Sequence, residues 1–343
     1  MNILGKLFSL PARLRRAPLW QREPIRAGKN PQPRTILVSG GTGFIGRHLC
    51  RWLIEHGERV IVLTRRLGVA QNLYGPHAEI VTALEQIPAT RRIDVAVNLA
   101  GARILGLPWT GARRKELVQS RLRVTNALAA LIARLDSKPE LLINASAIGY
   151  YGVRGDEKIT ETARGQPIFQ SHLCQVWELA AQAAEQYGVR VCRLRFGLVL
   201  GRDGGAFPGL VRAARFRTRL VLGSGAQWVS WIHIDDVLRL IDFCIENRDL
   251  DGGINATAPQ PLRQTTFAVM LAAQFGRFVQ LRVPASVLRL ALGEAAQLLV
   301  DGQRVLPVKA RAAGFSFRYS SFETALDGLF ATDDSPRMPA AIM

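Results

Sequence analysis

The sequence predicts an α/β fold with a doubly wound parallel sheet and a smaller C-terminal α+β region. Three observations carry this prediction. From residue 35 onward, short apolar runs alternate with segments of helical spacing. A glycine-rich turn joins the first apolar run to the first helical segment. After about residue 258 two helical segments follow in succession. Strand–helix alternation with short connections is typical of a parallel sheet that carries helices on both faces.

The individual elements follow in chain order. Each strand is an apolar run bounded by turn residues, and right-handed crossovers are expected between the strands. The predicted strands are TILVSG (35–40), RVIVLTRR (59–66), IDVAVNLAG (93–101), ELLINASAIG (140–149) and VRVCRLRFGLVLG (189–201). The predicted helices are 43–57, about 110–135 and 166–186. The first of them stops at a glycine, as helices commonly do.

Composition divides the chain into four segments. Residues 1–34 form a basic extension that we expect to be disordered, and residues 35–257 form the main α/β domain. Residues 258–331 form a C-terminal region of helices and short strands, and residues 332–343 form a loose tail.

The net charge of +18 is high, and the N-terminal extension contributes +7 of it, from eight Lys or Arg against one Glu. A basic body suits anionic ligands such as phosphates. Nucleic acid is not an expected partner, because no nucleic-acid motif occurs and aromatic residues do not interleave with the basic runs. For the extension, weak contact with an anionic membrane surface and an organellar presequence remain alternatives to disorder.

The cysteine and histidine patterns predict no metal site. The four cysteines form no C-x-x-C pair, and the five histidines show no metal-ligand spacing. We expect reduced, mostly buried thiols in a cytoplasmic protein that acts on a small molecule. No run of 18 apolar residues could span a membrane.

The glycine-rich turn SGGTGFIG places Gly40, Gly43 and Gly46 between a strand and a helix. In that context glycine lets the backbone turn tightly and approach a pyrophosphate, while the helix N-terminus supplies free N–H groups. Phe44 and Ile45 open the helix and are grouped with the glycines. The turn therefore predicts a dinucleotide site; the alternative is an ordinary strand–turn–helix with packing glycines.

The end of the second strand predicts which dinucleotide binds. An NAD site places Asp or Glu there for the ribose 2′-hydroxyl. This chain has Thr64, Arg65 and Arg66 instead. Guanidinium groups suit a 2′-phosphate, so we predict NADP(H), with Arg65 as the first contact. The alternative is that both arginines are solvated surface charges.

Leu99, Ala100 and Gly101 close the strand at 93–101. Small residues at this place would let the adenosine ribose lie close to the backbone, so these three are counted with the cofactor residues. Taken alone, the segment is only the end of a buried strand.

Several motifs resemble those of the extended short-chain dehydrogenases/reductases. They are SGGTGFIG, DVAVNLAG (94–101), SAIGYYG (146–152), RFGLVLG (195–201) and WIHIDDV (231–237). A further set resembles the atypical subgroup called "epimerase family protein", which carries a C-terminal domain of unknown function. That set is PWT (108–110), SRLRVT (120–125), LGSGAQ (222–227), GQRVLP (302–307) and AGFSFR (313–318). The resemblance covers about residues 35–331 and implies a Rossmann fold that binds a dinucleotide, with a largely undefined substrate.

The resemblance also implies a catalytic Ser and a Tyr-x-x-x-Lys helix. Ser146 matches the Ser. We match the Lys position to His172 and the Tyr position to Ile168. None of the five tyrosines is followed by Lys four residues later, so the usual pair is missing from the chain.

Three residues are candidates to replace this pair. Tyr150 and Tyr151 follow Ser146 closely, near the expected position of a substrate oxygen. His172 titrates in a suitable range and could act as an acid or contact the ribose. The alternatives are core packing with a bonded hydroxyl for at least one tyrosine, and a helix-terminal role for His172.

Two further features lie around the expected pocket. Arg195, at the end of the strand at 189–201, is expected to face the pocket and is counted with the cofactor residues. The loop 202–205 is expected to close over the pocket. His233 belongs to a stretch that the resemblance places at the pocket wall, with Asp235 or Asp236 as a helix N-cap.

Two hypotheses for the function result. The first is an NADP(H)-dependent oxidoreductase or epimerase-like enzyme acting on a small carbonyl or hydroxyl compound. The second is a non-catalytic NADP(H)-binding regulator, for example in cell division. The missing Tyr–Lys pair favours the second hypothesis.

Overall fold

The apolar runs form a seven-stranded parallel sheet in the computed structural model, which confirms the predicted doubly wound α/β fold. The structure describes residues 32–276 and 279–331. Most of the basic extension and the whole tail at 332–343 lie outside these residues, so the predictions for disorder and membrane contact there stay predictions.

The elements occupy the following positions. The strands are β1 (Thr35–Ser39), β2 (Arg59–Leu63), β3 (Ala78–Val81), β4 (Val95–Asn98), β5 (Leu141–Ala147), β6 (Lys158–Ile159), β7 (Arg190–Phe196), β8 (Leu198–Leu200), β9 (Thr218–Leu222), β10 (Trp228–Val229), β11 (Trp231–His233), β12 (Gly252–Ala256), β13 (Leu262–Arg263), β14 (Val279–Val283) and β15 (Arg304–Val305). The α-helices are α1 (Phe44–Glu55), α2 (Leu67–Tyr74), α3 (Gly111–Arg134), α4 (Phe169–Gln182), α5 (Phe207–Arg215), α6 (Ile234–Glu246), α7 (Gln264–Ala273), α8 (Ala285–Leu292), α9 (Gln297–Val300), α10 (Val308–Ala312) and α11 (Phe322–Phe330).

The strand order places a switch point at the centre of the sheet. The order is β12–β7–β5–β4–β1–β2–β3. From β1 the chain proceeds through β2 and β3 towards one edge, and from β4 it proceeds through β5, β7 and β12 towards the other. The crevice at the carboxyl ends of β1 and β4 is where open α/β sheets bind ligands.

The helices cover both faces of the sheet. Ile36 and Val38 point towards one face, where α1, α2 and α6 share their core. Leu37, between them, points towards the other face and packs with Leu128 of α3. Side chains alternate along a strand, so each buried strand must be apolar on both faces. This requirement explains the continuous apolar runs in the sequence.

The small C-terminal region draws on more of the chain than the predicted range 258–331. The predicted strand at 189–201 ends at Phe196, and β8 leaves the sheet to pair with β11. The following segment then supplies β9, which pairs with β14, and β10, which pairs with β13. Helix α5 packs on α7. Residues 202–230 therefore pack with this region, while the boundary between 257 and 258 stays a prediction.

Helix α1 packs closely against the backbone of the glycine-rich turn. Gly46 lies where a Cβ atom would be 2.8 Å from the Cα of Gly41 and closer still to the carbonyl oxygen of Gly40. Both are backbone atoms, which cannot turn aside as a side chain can. The requirement for glycine here is therefore steric.

We expect Gly46→Ala to lower the free energy of unfolding by about 1–3 kcal/mol, because an added methyl group overpacks this contact. Urea unfolding followed by circular dichroism measures the change. Gly111→Ala is the control, since nothing lies within 4 Å of its added Cβ at the start of α3. The control should be neutral or slightly stabilising. Equal destabilisation by both variants would contradict the steric explanation.

Candidate active site

The glycine-rich turn presents an open helix N-terminus at the switch point. Gly40 has φ of +72°, and a Cβ there would lie 2.7 Å from the carbonyl carbon of Leu99, so the turn touches the end of β4. Gly43 is the N-cap of α1, no side chain caps the helix, and its first turn has no acidic residue. The N–H groups of this turn are thus suited to an anion such as a pyrophosphate.

Arginines follow β2 directly beside this turn. Thr64 directly follows Leu63, the last residue of β2, which pairs with Ser39 at the end of β1. Nη2 of Arg66 donates to the carbonyl oxygen of Thr42 at 3.1 Å and to its Oγ1 at 3.0 Å. Arg65 is exposed and forms no hydrogen bond with the described residues. The structure thus brings Arg66 onto the glycine turn and leaves Arg65 beside it in solvent.

A buried polar network holds the loop after β4. Asn98 is fully buried; its Oδ1 accepts from Ser39 Oγ at 2.5 Å and from the backbone N–H of Ala100 at 3.3 Å. Its Nδ2 donates to Thr125 and Asn144. The segment Leu99–Gly101 therefore has a fixed backbone at the crevice, as a cofactor-facing loop requires.

The loop after β8 lies against the start of α1. A Cβ on Gly205 would be 3.3 Å from the Phe44 ring, and Gly201 and Gly204 touch the same ring. Asp203 in this loop pairs with Arg47 at 2.9 Å and with His48 Nε2 at 2.9 Å. The loop 202–205 thus packs against the first turn of α1, and its closure over the pocket stays a prediction.

The centre of the site is a buried ion pair between β7 and α4. Nε of Arg195 donates to Glu178 Oε1, and Nη2 donates to Oε2, both at 2.8 Å. Ser146, at the end of β5, donates from Oγ to Glu178 Oε1 at 2.6 Å. Burial by itself lowers the pKa of Arg195, but the hydrogen bonds and charge of Glu178 raise it overall.

The two tyrosines occupy different positions around this pair. Tyr151 is fully buried; its hydroxyl donates to Asn255 Oδ1 at 2.6 Å and accepts from Arg195 Nη1 at 2.9 Å. Burial raises the pKa of Tyr151 to about 12. Tyr150 is partly exposed, and the Arg195 guanidinium lies 3.5 Å from its ring centre. Tyr151 is therefore structural, while Tyr150 remains accessible.

The structure contradicts the placement of His172 in the site. His172 is exposed, because it lies on the side of α4 opposite to the buried Gln170 and Cys174. Ile168, matched to the Tyr position, is the extended N-cap residue and precedes the helix. The pair spaced by four residues that faces the Ser146 loop is Gln170 and Cys174, whose atoms would lie within 4 Å of a Cβ added to Gly149.

Neither member of that pair reproduces a Tyr–Lys pair. Gln170 is 2 % exposed, and its Oε1 finds no hydrogen-bond partner among the described residues. Burial raises the pKa of Cys174 to about 11, so the thiol stays neutral at physiological pH. The side chains at these positions are an amide and a neutral thiol, and they carry no charge.

The assignment of Arg195 to the cofactor also needs correction. Its guanidinium is committed to Glu178 and to the Tyr151 hydroxyl, and only 5 % of the residue is exposed. Sequence reasoning missed Glu178. The available signal was an acidic residue on the apolar face of the helix, four positions after Cys174 and beside Trp177.

His233 caps α6, where the sequence suggested an aspartate. Its Nδ1 accepts from the backbone N–H of Asp235 at 3.1 Å, and its Nε2 is buried without a partner among the described residues. Asp236 instead accepts from the backbone N–H groups of Arg318 and Tyr319. Burial lowers the pKa of His233 to about 3, and the charge of Arg318 adds to this effect.

Within residues 32–276 and 279–331 no helix combines the length and apolarity needed to cross a bilayer. The same residues hold no group of three or more His, Cys, Asp or Glu side chains that could bind a metal ion.

The chain matches known families over most of its length. Residues 36–255 match the model of the NAD dependent epimerase/dehydratase family, and residues 283–329 match a domain of unknown function, DUF1731. The epimerase family protein YfhF of Bacillus subtilis is 38% identical over 301 residues, which cover 86% of this chain and 98% of that protein. The epimerase family protein SERP0438 of Staphylococcus epidermidis is 38% identical over 304 residues, which cover 86% and 99% of the two chains.

A solved structure extends the comparison. Human epimerase family protein SDR39U1, in complex with NADPH, superposes with a TM-score of 0.77 at 29% identity and covers 87% of this chain and 99% of its own. UDP-glucose 4-epimerase of Thermotoga maritima superposes with a TM-score of 0.70 at 20% identity, a likeness in fold alone.

We expect the stability of this protein to fall with acid because of His233. The folded protein keeps this side chain neutral down to a pH of about 3. The unfolded chain protonates it below about 6.5. Between these values the free energy of unfolding should therefore fall by up to about 1.4 kcal/mol per pH unit from this group.

Urea unfolding at several pH values tests this expectation. His233→Asn keeps an acceptor for the Asp235 N–H and should flatten the slope between pH 6.5 and 3. His77→Gln, at an exposed histidine, is the control and should leave the slope unchanged. If the slope of His233→Asn equals that of the parent protein, the buried imidazole does not cause it.

Proposed function

This chain belongs to the NAD-dependent epimerase/dehydratase family, and we propose that it is an NADP(H)-dependent oxidoreductase acting on a small carbonyl or hydroxyl compound. It is an NAD(P)-binding Rossmann-fold protein of the extended short-chain dehydrogenase/reductase type. The observation that carries the proposal is Ser146 bonded to the Glu178–Arg195 pair beside the dinucleotide crevice.

The choice of NADP(H) rests on charge at the ribose end of the crevice. No acidic residue follows β2, where a 2′-hydroxyl would need one. Arg66 reaches the glycine turn through Thr42, and Arg65 adjoins it. Two guanidiniums at this place complement a 2′-phosphate. Human SDR39U1 binds NADPH in its solved structure, which agrees with this choice.

The chemistry assigns different tasks to Ser146 and Tyr150. Bound NADPH would supply the hydride to a carbonyl substrate, and bound NADP⁺ would accept it from an alcohol. In the observed arrangement the Ser146 proton goes to Glu178, so its oxygen accepts a hydrogen bond from the substrate hydroxyl when the substrate is an alcohol. When the substrate is a carbonyl, a donor is needed, and Tyr150 is the accessible hydroxyl of the two tyrosines. For a carbonyl substrate Tyr150 thus donates the proton, and Ser146 accepts a hydrogen bond from the hydroxyl that forms.

A non-catalytic NADP(H)-binding regulator is the second candidate function. The amide of Gln170 and the buried thiol of Cys174 on the helix face that usually carries the Tyr–Lys pair favour it. Such a protein would keep the glycine turn and the arginines after β2. It would bind the dinucleotide without turnover on any substrate.

We propose a cytoplasmic location. The four cysteines are free and buried in the structure, which agrees with a reducing compartment. Weak contact of the basic N-terminal segment with a membrane surface stays a prediction, and sedimentation of the full chain with anionic vesicles would test it.

We expect Arg66→Ala and Arg65→Ala each to raise the Kd of NADPH, because each removes a charged donor from the 2′-phosphate. A loss of about 1.5–3 kcal/mol corresponds to a roughly 10- to 100-fold weaker Kd. Isothermal titration of NADPH and NADH measures both. Arg51→Ala, on the exposed side of α1, controls for net charge and should leave both affinities unchanged. Equal effects on NADPH and NADH would refute the 2′-phosphate assignment.

We expect NADPH oxidation against a carbonyl panel to depend on Ser146 and Tyr150. Ser146→Ala and Tyr150→Phe should each lower kcat by roughly 100-fold or more, since each removes a group that handles the reacting oxygen. Absorbance of the reduced nicotinamide measures the rate. Tyr187→Phe, at an exposed tyrosine, is the matched control and should keep full activity.

The same experiment separates the two candidate functions. Tight NADPH binding without turnover on any carbonyl supports the regulator. Turnover that survives both Ser146→Ala and Tyr150→Phe shows an enzyme that uses other residues. Failure to bind either dinucleotide contradicts both functions.

A further inference from the structure

Arg121 is a buried arginine on the inner side of α3. Only 8 % of its surface is exposed, and its guanidinium lies 4.9 Å from the ring centre of Trp177 on α4. Nη1 donates to the carbonyl oxygen of Leu117 at 3.0 Å, and Nη2 donates to that of Ala102 at 3.2 Å. The side chain is therefore held by α3, α4 and the loop after β4.

These contacts leave donors of Arg121 unused. A guanidinium carries five N–H donors in a planar fork, and the two carbonyl oxygens take two of them. The donors that remain are on Nε and on both terminal nitrogens. Two adjacent donors of such a fork match the two oxygens of a carboxylate.

The charge of Arg121 has no carboxylate partner among the described residues. Burial lowers its pKa accordingly. Three other arginines differ in this respect, because each forms an ion pair. The pairs are Arg195–Glu178, Arg113–Glu116 and Arg114–Glu294. A buried charge without a partner is costly, so an anion from outside the chain would stabilise the charge of Arg121.

The position of Arg121 points to the substrate rather than to the pyrophosphate. Helices α3 and α4 pack on the face of the sheet that carries Ser146, opposite to α1. A Cβ added to Gly101 would lie 3.3 Å from the guanidinium carbon of Arg121. Cys174 of α4 is also close enough to affect the pKa of Arg121. Arg121 thus lies on the same side of the crevice as Ser146. The N-terminus of α1, which suits a pyrophosphate, lies on the other side.

We propose that Arg121 binds a carboxylate of the substrate and so determines specificity for a carbonyl or hydroxyl acid. This inference rests on the proposed function for the site, since it names the substrate class that the same crevice takes. The carboxylate completes the fork of Arg121, while Ser146 holds the reacting oxygen. A neutral substrate of the same shape leaves the guanidinium without a counter-charge.

Two matched probes test the proposal in the full chain. They are 4-carboxybenzaldehyde and its neutral methyl ester, titrated into the protein with NADP⁺ and without it. With NADP⁺ no reduction occurs, so tryptophan fluorescence and calorimetry report binding alone. The parent protein should bind the acid at least about tenfold more tightly than the ester.

The variants assign this preference to one side chain. Arg121→Gln should remove the preference for the acid and change the Kd of NADP⁺ much less than it changes the Kd of the acid. Arg123→Gln, at an exposed arginine of the same helix, makes the same change in net charge and should keep the preference. Should Arg121→Gln fail to fold, Arg121→Lys, which keeps the charge but loses the two-donor fork, should weaken the preference for the acid, and an unchanged preference in that variant would contradict the proposal.

Three outcomes would overturn the proposal. They are no preference for the acid in the parent protein at millimolar probe, a preference that survives in Arg121→Gln, and a loss of NADP⁺ affinity in Arg121→Gln as large as the loss of acid affinity. The last would assign Arg121 to the dinucleotide. A protein that prefers the acid but never oxidises NADPH retains the inference about binding while the proposed function fails.

Discussion

The buried ion pair between Glu178 and Arg195 is the interaction on which the candidate site depends. It joins α4 to β7, and through Tyr151 and Asn255 it reaches β12, while Ser146 ties it to β5. Removing one member of a buried pair costs about 3–5 kcal/mol, because the other charge is left without a partner. The bidentate geometry and the added hydrogen bonds offset the desolvation of both charges. The position of Ser146 is therefore determined by the same contacts that hold the strand ends together.

The strands place polar residues on one face at their carboxyl ends. Side chains alternate between the two faces along each strand, and the last or nearly last side chain on this face is polar. These residues are Ser39, Asn98, Asn144, Ser146, Arg195 and Asn255. Most of them bond to one another or to residues of α3 and α4, and Asn255 bonds to the Tyr151 hydroxyl and the carbonyl oxygen of Leu306. Most of this buried polarity is therefore satisfied. Gln170 Oε1 is an exception within the described residues, and it lies on the helix face where other members of the superfamily carry charge.

Much of the fold follows from periodicity, and the site follows from it only in part. Runs such as TILVSG indicate buried strands because both faces must be apolar, and Gly40 and Gly46 are required by backbone contacts. The match of His172 to a catalytic position was wrong because the helix begins at Phe169, so the assumed register turned the side chain to solvent. Glu178 escaped notice because its partner is distant in sequence, and no local pattern reveals such a pair.

Charge compensation separates the two ends of the crevice. At the centre, Arg195 is neutralised by Glu178, so the residues around Ser146 require no charge from a ligand. At the ribose end, Arg65 and Arg66 are exposed, and water can solvate them when no phosphate is present. Arg121 has neither arrangement, because it is buried and has no acidic partner among the described residues. Since solvent cannot stabilise its charge fully, a bound anion would change its energy more than that of the other arginines. Burial without an acidic partner is thus the physical reason why a substrate carboxylate fits Arg121.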